Sequence, residues 1–417
     1  MAELRLGLVG AGAVGVLHAE AASRVPGVRV GAVCDVDPET ARRIAAPHGA
    51  PVYPDHRGLL SSGEVDAVVV ATPHALHTAI VCDAAAAGLH VLVEKPMATS
   101  LADCDLMIAA CAAAGVRLAV GHIQRFLPDK AAAMAALTAG RIGEPLMMSD
   151  RRGSDYRPGS RPGWFLDPGL SGGGVFINIG AHSVDRLVWL SGRRVERVDA
   201  SMTSSLPARA AGPVSGTVNG ADPVGGPAGA GGPSPGPADE TPGGPVCPSP
   251  VETDALVRLV LSGGPTAQVA VTSTGPPAPH DEVVVVGERG TLSISPRTGT
   301  ALYRDGVTTW LHRPADDDVP AAFAAQLADF AGAVRSGREP AVTGAHGRHV
   351  LEVVLAAYAS AARRTPVRIP AGTAVRQGGG DGTGRTGTRG GSGGPGRTGD
   401  RGGASGAGGT APREGTR

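Results

Sequence analysis

Strong charge of either sign is missing from this chain: 38 lysines and arginines are matched by 38 aspartates and glutamates over 417 residues. A balanced surface offers nucleic acid or an anionic membrane no electrostatic footprint, so neither is expected as a partner. Cysteine is scarce as well. The five thiols, Cys34, Cys82, Cys104, Cys111 and Cys247, form no C-x-x-C pair and are odd in number. That argues against a disulfide framework and a zinc site, and for reduced thiols in a cytoplasmic protein with no metal. No apolar run approaches the roughly 18 residues of a membrane span. The alanine-rich start has only a weak charged region and no apolar core of a signal peptide. What remains is a chain long enough for two domains, with a small molecule as its expected partner.

Glycine and proline are abundant, at 64 and 35 residues, but uneven. One tract, about 207–250, lacks the apolar periodicity needed to offset the entropy of ordering and reads as a disordered insertion. A second, 378–417, is a Gly, Arg, Thr and Ser tail that reads as a disordered extension. Its arginines lack interleaved aromatics, which argues against RNA binding.

Between these tracts the pattern is orderly. The apolar run Leu4–Val9 is followed by Gly10, Ala11, Gly12, Ala13, Val14 and Gly15 and then by a helix-compatible stretch. In such a strand, turn and helix, Gly10 permits the tight turn, Gly12 lets the backbone approach a pyrophosphate, and Gly15 lets the helix pack on the strand. A second strand, Val28–Cys34, ends at Asp35, the roughly 20-residue offset at which an acid accepts from ribose hydroxyls and repels a 2′-phosphate. NAD is therefore expected over NADP, although Arg42 and Arg43 lie nearby; the competing reading of Asp35 is a turn or N-cap residue.

Strands at Val65–Ala71, His90–Val93 and Arg117–Gly121 alternate with helices at Ala75–Ala87 and Leu101–Ala114, which predicts a doubly wound parallel sheet. Ligands sit beyond the carboxyl ends of such strands. Thr72, Pro73 and His74, then Glu94 and Lys95, then His122 should border one crevice, with His77 either facing it or covering the sheet edge. Lys95 at a strand end before a proline is a costly place for a charge unless something uses it.

Taken together, the segments AGAVG, ATPHALHTA, HVLVEKPMATS, GHIQRFLP and GGGVFINIGAHSVDRLVWLSG resemble the glucose-fructose oxidoreductase and inositol dehydrogenase (Gfo/Idh/MocA) family, over nearly the whole chain to about Pro370. The resemblance implies an α/β fold: a Rossmann domain at 1–124 and, at 125–370, an α+β domain with a largely antiparallel open sheet. It also implies a homodimer or homotetramer formed through that sheet. Glycine and proline punctuation independently marks strands at Glu144–Arg152, Val195–Ser205, Thr253–Leu261, Thr266–Thr274, Asp281–Gly287, Gly290–Ser295 and Ala301–Arg304. Helices at Ile179–Leu190, Ala321–Arg335 and His346–Ala362 are expected to cover one face of this sheet.

By the same resemblance, Lys95 and His182 carry the catalytic roles. Oxidising an alcohol needs a proton acceptor and a positive stabiliser beside the carbon that loses hydride. His182, expected to titrate near neutrality, suits proton transfer. Family members often have an aspartate where this chain has Asn178, which can bind a substrate hydroxyl but cannot take a proton. Arg125, Arg151, Arg152, Tyr156, Arg157, Arg161 and Trp164 precede the glycine-rich segment, and His122, Arg125, Tyr156, Trp164 and Asn178 are the substrate-binding candidates. The arginines suggest a carboxylated or phosphorylated sugar. The expected activity is an NAD(P)-dependent dehydrogenase acting on a secondary hydroxyl of a sugar, nucleotide sugar or cyclitol. Alternatives are a hydrolase or lyase with tightly bound NAD that uses transient oxidation, and a non-catalytic NAD-binding protein.

Overall fold

The computed structural model describes residues 3–154, 161–204, 207–208, 247–273 and 281–370. Nearly all of the expected insertion, the whole tail, Tyr156 and Arg157 lie outside the described residues. The described part belongs to one compact unit, Met1–Arg376.

Its first sheet comprises β1 (Leu4–Val9), β2 (Val28–Cys34), β3 (Val52–Tyr53), β4 (Ala67–Val70), β5 (His90–Glu94) and β6 (Leu118–Gly121). The order is β3-β2-β1-β4-β5-β6, and every neighbouring pair is parallel. Helices α1 (Ala13–Arg24), α2 (Pro38–Ala45), α3 (His56–Leu60), α4 (His77–Ala86) and α5 (Leu101–Ala113) connect the strands. The order reverses between β1 and β4, and ligands of doubly wound sheets bind at such a switch point. β4 and the centre of β5 are wholly buried valines, leucine and alanine, as expected for strands covered on both faces.

After α6 (Pro128–Thr138) comes a second sheet, with α7 (Pro168–Ser171) and α8 (Ala181–Ser191) between its first two strands. Its strands are β7 (Pro145–Gly153), β8 (Val195–Thr203), β11 (Asp254–Leu261), β12 (Thr266–Thr272), β13 (Glu282–Gly287), β14 (Gly290–Ser295), β15 (Gly299–Arg304), β16 (Val307–His312) and β17 (Val367–Arg368). The short strands β9 (Pro207–Ala208) and β10 (Cys247–Pro248) pair separately. The order is β16-β15-β14-β13-β7-β12-β11-β8-β17, and only the central pair β7–β12 is parallel. α8 and α10 (Gly344–Arg363) pack on one face, with α6 against β14, β15 and β16.

Two expectations need correction. The helix at 321–335, here α9 (Asp318–Ser336), packs on α1 and not on the second sheet. Phe323, Leu327 and Phe330 join Ala19, Ala21 and Ala22 in the first domain's core, because the small residues on α1 leave room for two rings to bury. β16 was not expected, yet Asp305 and Gly306 both have positive φ and form the two-residue Asp-Gly turn that joins paired strands.

Candidate active site

The glycine loop is built as its sequence suggests. Gly10 has φ +101°, and a Cβ there would meet the Ala71 carbonyl at 2.5 Å. A Cβ on Gly15 would run into the Gly10 carbonyl, whereas one on Gly12 would have nothing within 4 Å. Gly12 therefore faces open space where α1 begins, and no side chain caps that helix start. Its free amides and the positive end of its dipole suit an anion. Asp35 Oδ2 accepts from the Ala11 amide at 2.6 Å. The N-cap of α2 is Asp37, which accepts from the Glu39 amide, so Asp35 is held at the loop and does not cap that helix. Val14 lies on the first turn of α1, and the Thr72 hydroxyl oxygen beyond β4 is buried without a partner. These features fit a dinucleotide: an open glycine cradle, an acid at its rim and an unused hydroxyl.

His77 is tied into the scaffold. Its Nε2 lies 2.9 Å from the Thr72 carbonyl, and Nδ1 lies 3.2 and 3.3 Å from those of Pro96 and Met97. It links the ends of β4 and β5, and burial lowers its pKa. His74 contacts the Ser171 carbonyl at 2.8 Å and packs edge-on against Trp164, centroids 4.9 Å apart. Trp164 thereby reaches the crevice from the loop before α7.

Lys95 leaves β5 and donates from Nζ to the backbone carbonyl of Asn178 at 2.8 Å. Burial lowers its pKa to about 8, with Arg152 and Arg161 adding to the effect and Glu94 opposing it. Asn178 lies in a π-helical turn, Phe176–Gly180, leading directly into α8; such wide turns recur at functional sites. Its Nδ2 donates to the Gly174 carbonyl at 3.0 Å, and its Oδ1 is buried without a partner. His182 follows on the first turn of α8, only 4% exposed, with Nδ1 unpartnered. Burial, joined by the Lys95 and Arg152 charges, holds it well below its usual range. The expectation of a His182 that titrates near neutrality is thus corrected: the imidazole is neutral at physiological pH, with one ring nitrogen a donor and the other an acceptor.

Both ring nitrogens of His122 are buried without partners, and Nδ1 stands 3.8 Å from Asp185. Arg125, expected at the substrate, forms a forked pair with Asp185, at 3.0 Å from Nε and 2.6 Å from Nη2. Its guanidinium is committed to α8. Arg151 is exposed on the opposite face of β7 from the buried Arg152.

Several residues of the site are absent from the sequence-based candidates. His18 Nε2 meets Glu94 Oε1 at 2.8 Å, edge-on to Phe323 of α9. Burial acts to raise Glu94, but the His18 bond and charge outweigh it and hold the carboxyl below its usual value. Position 18 on the sheet-facing side of α1, one turn past Gly15, was the available signal. Glu252 accepts from the amides of Gly174 and Phe176 at 2.8 and 2.9 Å and from the Tyr358 hydroxyl at 2.6 Å. Tyr358 in turn accepts from the Ile177 amide at 3.2 Å. A Cβ on Gly173 would strike the Tyr358 hydroxyl and one on Gly174 the Glu252 carbonyl, which explains the glycine run. Beneath the site, Arg186 is wholly buried and pairs with Asp150 and Asp281.

A parallel sheet with an open glycine cradle, joined to a mixed sheet that delivers a buried histidine beside a strand-end lysine, defines a dinucleotide-dependent oxidoreductase. Residues 4–122 match the model of the oxidoreductase family with an NAD-binding Rossmann fold, and residues 131–293 that of the GFO/IDH/MocA C-terminal domain. The chain belongs to the Gfo/Idh/MocA family of NAD-binding oxidoreductases. Inositol 2-dehydrogenase of Rubrobacter xylanophilus is 26% identical over 81% of this chain and 85% of its own length. The rhizopine catabolism protein MocA of Rhizobium meliloti is 34% identical over 46% of this chain and 59% of that protein. An oxidoreductase domain protein of Kribbella flavida, 24% identical, superposes with a TM-score of 0.73 over 89% of this chain and 100% of that one.

Proposed function

We propose that the chain is an NAD-dependent dehydrogenase acting on a secondary hydroxyl of a sugar, nucleotide sugar or cyclitol. The observation that carries this reading is the hydrogen bond from Lys95 to the Asn178 carbonyl: it joins the cofactor sheet to the turn that presents Asn178 and His182. Gly10, Ala11, Gly12, Val14, Gly15 and Asp35 would hold the pyrophosphate and ribose, and Thr72, Pro73, His74, Glu94 and Lys95 would border the nicotinamide. When bound, NAD supplies the hydride acceptor at its nicotinamide C4. Of the groups beside the substrate, Lys95 has a pKa closest to working pH, at about 8, so its neutral amine takes the hydroxyl proton. His182, a neutral imidazole with one N–H, donates to the hydroxyl oxygen and orients it, and the unpartnered Asn178 Oδ1 accepts from a neighbouring hydroxyl. His122 and Trp164 complete the substrate side.

The second sheet's open face is proposed as the interface of a homodimer or homotetramer. Met147 and Leu256 are more than half exposed there, beside a depression of about 310 Å³ bordered by Arg151, Ser201 and Asp254.

NAD would be titrated into the purified protein by calorimetry, and NADH followed with cyclitols, sugars and nucleotide sugars. Lys95→Met should lower turnover by about 10²- to 10⁴-fold while NAD still binds. Unchanged turnover removes the lysine assignment, absence of binding heat removes the cofactor assignment, and product release without net NADH supports transient oxidation instead.

A further inference from the structure

A histidine of α1 holds a carboxylate beside Lys95. His18 lies on the second turn of α1 and is wholly buried. Its Nε2 lies 2.8 Å from Glu94 Oε1, and the ring stands edge-on to Phe323 of α9. A carboxylate only accepts, so a ring proton sits on Nε2 and is donated there. Glu94 Oε2 accepts from the Lys95 amide at 3.2 Å. Against the carboxyl lies Gly121 at the end of β6, where a Cβ would stand 2.8 Å from the carboxyl carbon and from both oxygens. Three elements, α1, β5 and β6, therefore fix one negative charge at the residue before Lys95.

Burial disfavours the ammonium form of Lys95, Glu94 favours it, and Arg152 of β7 and Arg161 of the loop before α7 act with burial. His74, His122 and His182 face it from the segments after β4 and β6 and from α8, but burial lowers all three, so they stand there as neutral rings. His77 and His122 also act on Glu94 and are neutral for the same reason. The charge that draws a proton towards Lys95 is thus that of Glu94. Its ionisation depends on His18: burial raises the carboxyl, and the His18 hydrogen bond is the strongest influence that lowers it. An amine of weak proton affinity is a poor base, and one of high affinity is already protonated at working pH. A fixed neighbouring carboxylate sets the balance between the two.

We propose that His18 and Glu94 form a positioning pair for the reaction: His18 holds the carboxylate ionised and in place, and the carboxylate governs how readily the Lys95 amine takes a proton. His18 acts only through Glu94. The role in turnover rests on the dehydrogenase reading above, whereas the hold on Lys95 is measurable without turnover.

The sequence holds two lysines, Lys95 and Lys130, so the full chain grown with isotope-labelled lysine gives two sets of side-chain resonances, and Lys95→Met assigns them. Titrated by NMR without substrate, Lys95 should change at about pH 8. Glu94→Gln should lower that midpoint by about one pH unit or more. His18→Asn, whose amide ends one atom short of the Nε2 position, should leave the carboxyl unpaired. The carboxyl's own titration, seen as a smaller second step in the Lys95 resonance, should then move up by about one pH unit or more. His18→Gln, which can place an N–H where Nε2 stands, should keep both steps near those of the unmodified chain. Combining His18→Asn with Glu94→Gln should give the Glu94→Gln midpoint and no second step. A Lys95 midpoint unmoved by Glu94→Gln, or His18→Asn and His18→Gln behaving alike, overturns the proposal. So does a loss of stability to urea in the His18 variants with both steps unmoved, which a merely structural role would produce. In turnover with NAD, the rising limb of the pH–rate profile should follow the NMR midpoint. A limb that stays at about 8 while the midpoint moves would strike the Lys95 base assignment of the dehydrogenase reading and leave the pair's hold on Lys95 established.

Discussion

Replacing Tyr358 with phenylalanine tests whether the turn carrying Asn178 is held from outside. The hydroxyl donates to Glu252 at 2.6 Å and accepts from the Ile177 amide at 3.2 Å. Burial and the neighbouring Glu252 raise its pKa well above the usual value, so it remains a donor at every working pH. The phenylalanine ring retains the edge-on contact with Phe176, centroids 6.4 Å apart, and opens no cavity. What is lost is a hydrogen bond to a carboxylate, about 1.5–3 kcal/mol, together with the partner of a part-buried amide, about 1 kcal/mol. Urea unfolding of Tyr358→Phe should therefore show a loss of about 3 kcal/mol. Because the turn also supplies the carbonyl that receives Lys95, turnover should fall about tenfold or more while NAD affinity, which depends on the other sheet, stays unchanged. Glu252→Gln should be worse, since one amide oxygen cannot accept from two backbone amides and a hydroxyl. A stability change under about 0.5 kcal/mol with unaltered turnover would refute the idea that this pair sets the turn.

The pH dependence of oxidation should rise through about 8, the Lys95 value, because the neutral amine is the form that takes a proton; Lys95→Met should lack that limb in a pH–rate profile. Stability should fall on acidification below about 6.5. Burial lowers His74, His77, His122 and His182, so below that pH the unfolded chain binds protons that the folded chain refuses. Each adds up to about 1.4 kcal/mol per pH unit, measurable by urea unfolding at pH 7 and pH 5. Asp35→Ala should weaken NAD by about tenfold or more and narrow its advantage over NADP in calorimetry; an unchanged ratio would dismiss Asp35 as the selector.

Where the chain obeys a period or a local steric rule, its fold is legible. The buried strands β1, β2, β4, β5 and β6, the glycine cradle and the alternating strands of the second sheet all follow from short-range pattern. The misplaced α9 shows where that stops. A helix's apolar stripe says that it will be buried and not against which partner; here it buries against the alanines of α1, with His18 edge-on to Phe323. The site divides along the same line. Lys95, Asn178 and His182 stand in compact motifs, whereas Glu252 and Tyr358, 106 residues apart in sequence, hold the turn between them. Arg152, Arg186, Asp150 and Asp281 likewise satisfy one another across as many as 129 positions. In such a network each charge is tolerable only because a partner distant in sequence neutralises it. No local pattern marks it, and the atoms it leaves unsatisfied appear only when the whole set is assembled. Around Lys95 those atoms are Arg152 Nη1, Asn178 Oδ1, His182 Nδ1 and both nitrogens of His122. A core built for stability alone would have paired them with one another. These atoms retain hydrogen-bonding capacity that a polar ligand or ordered water can fill.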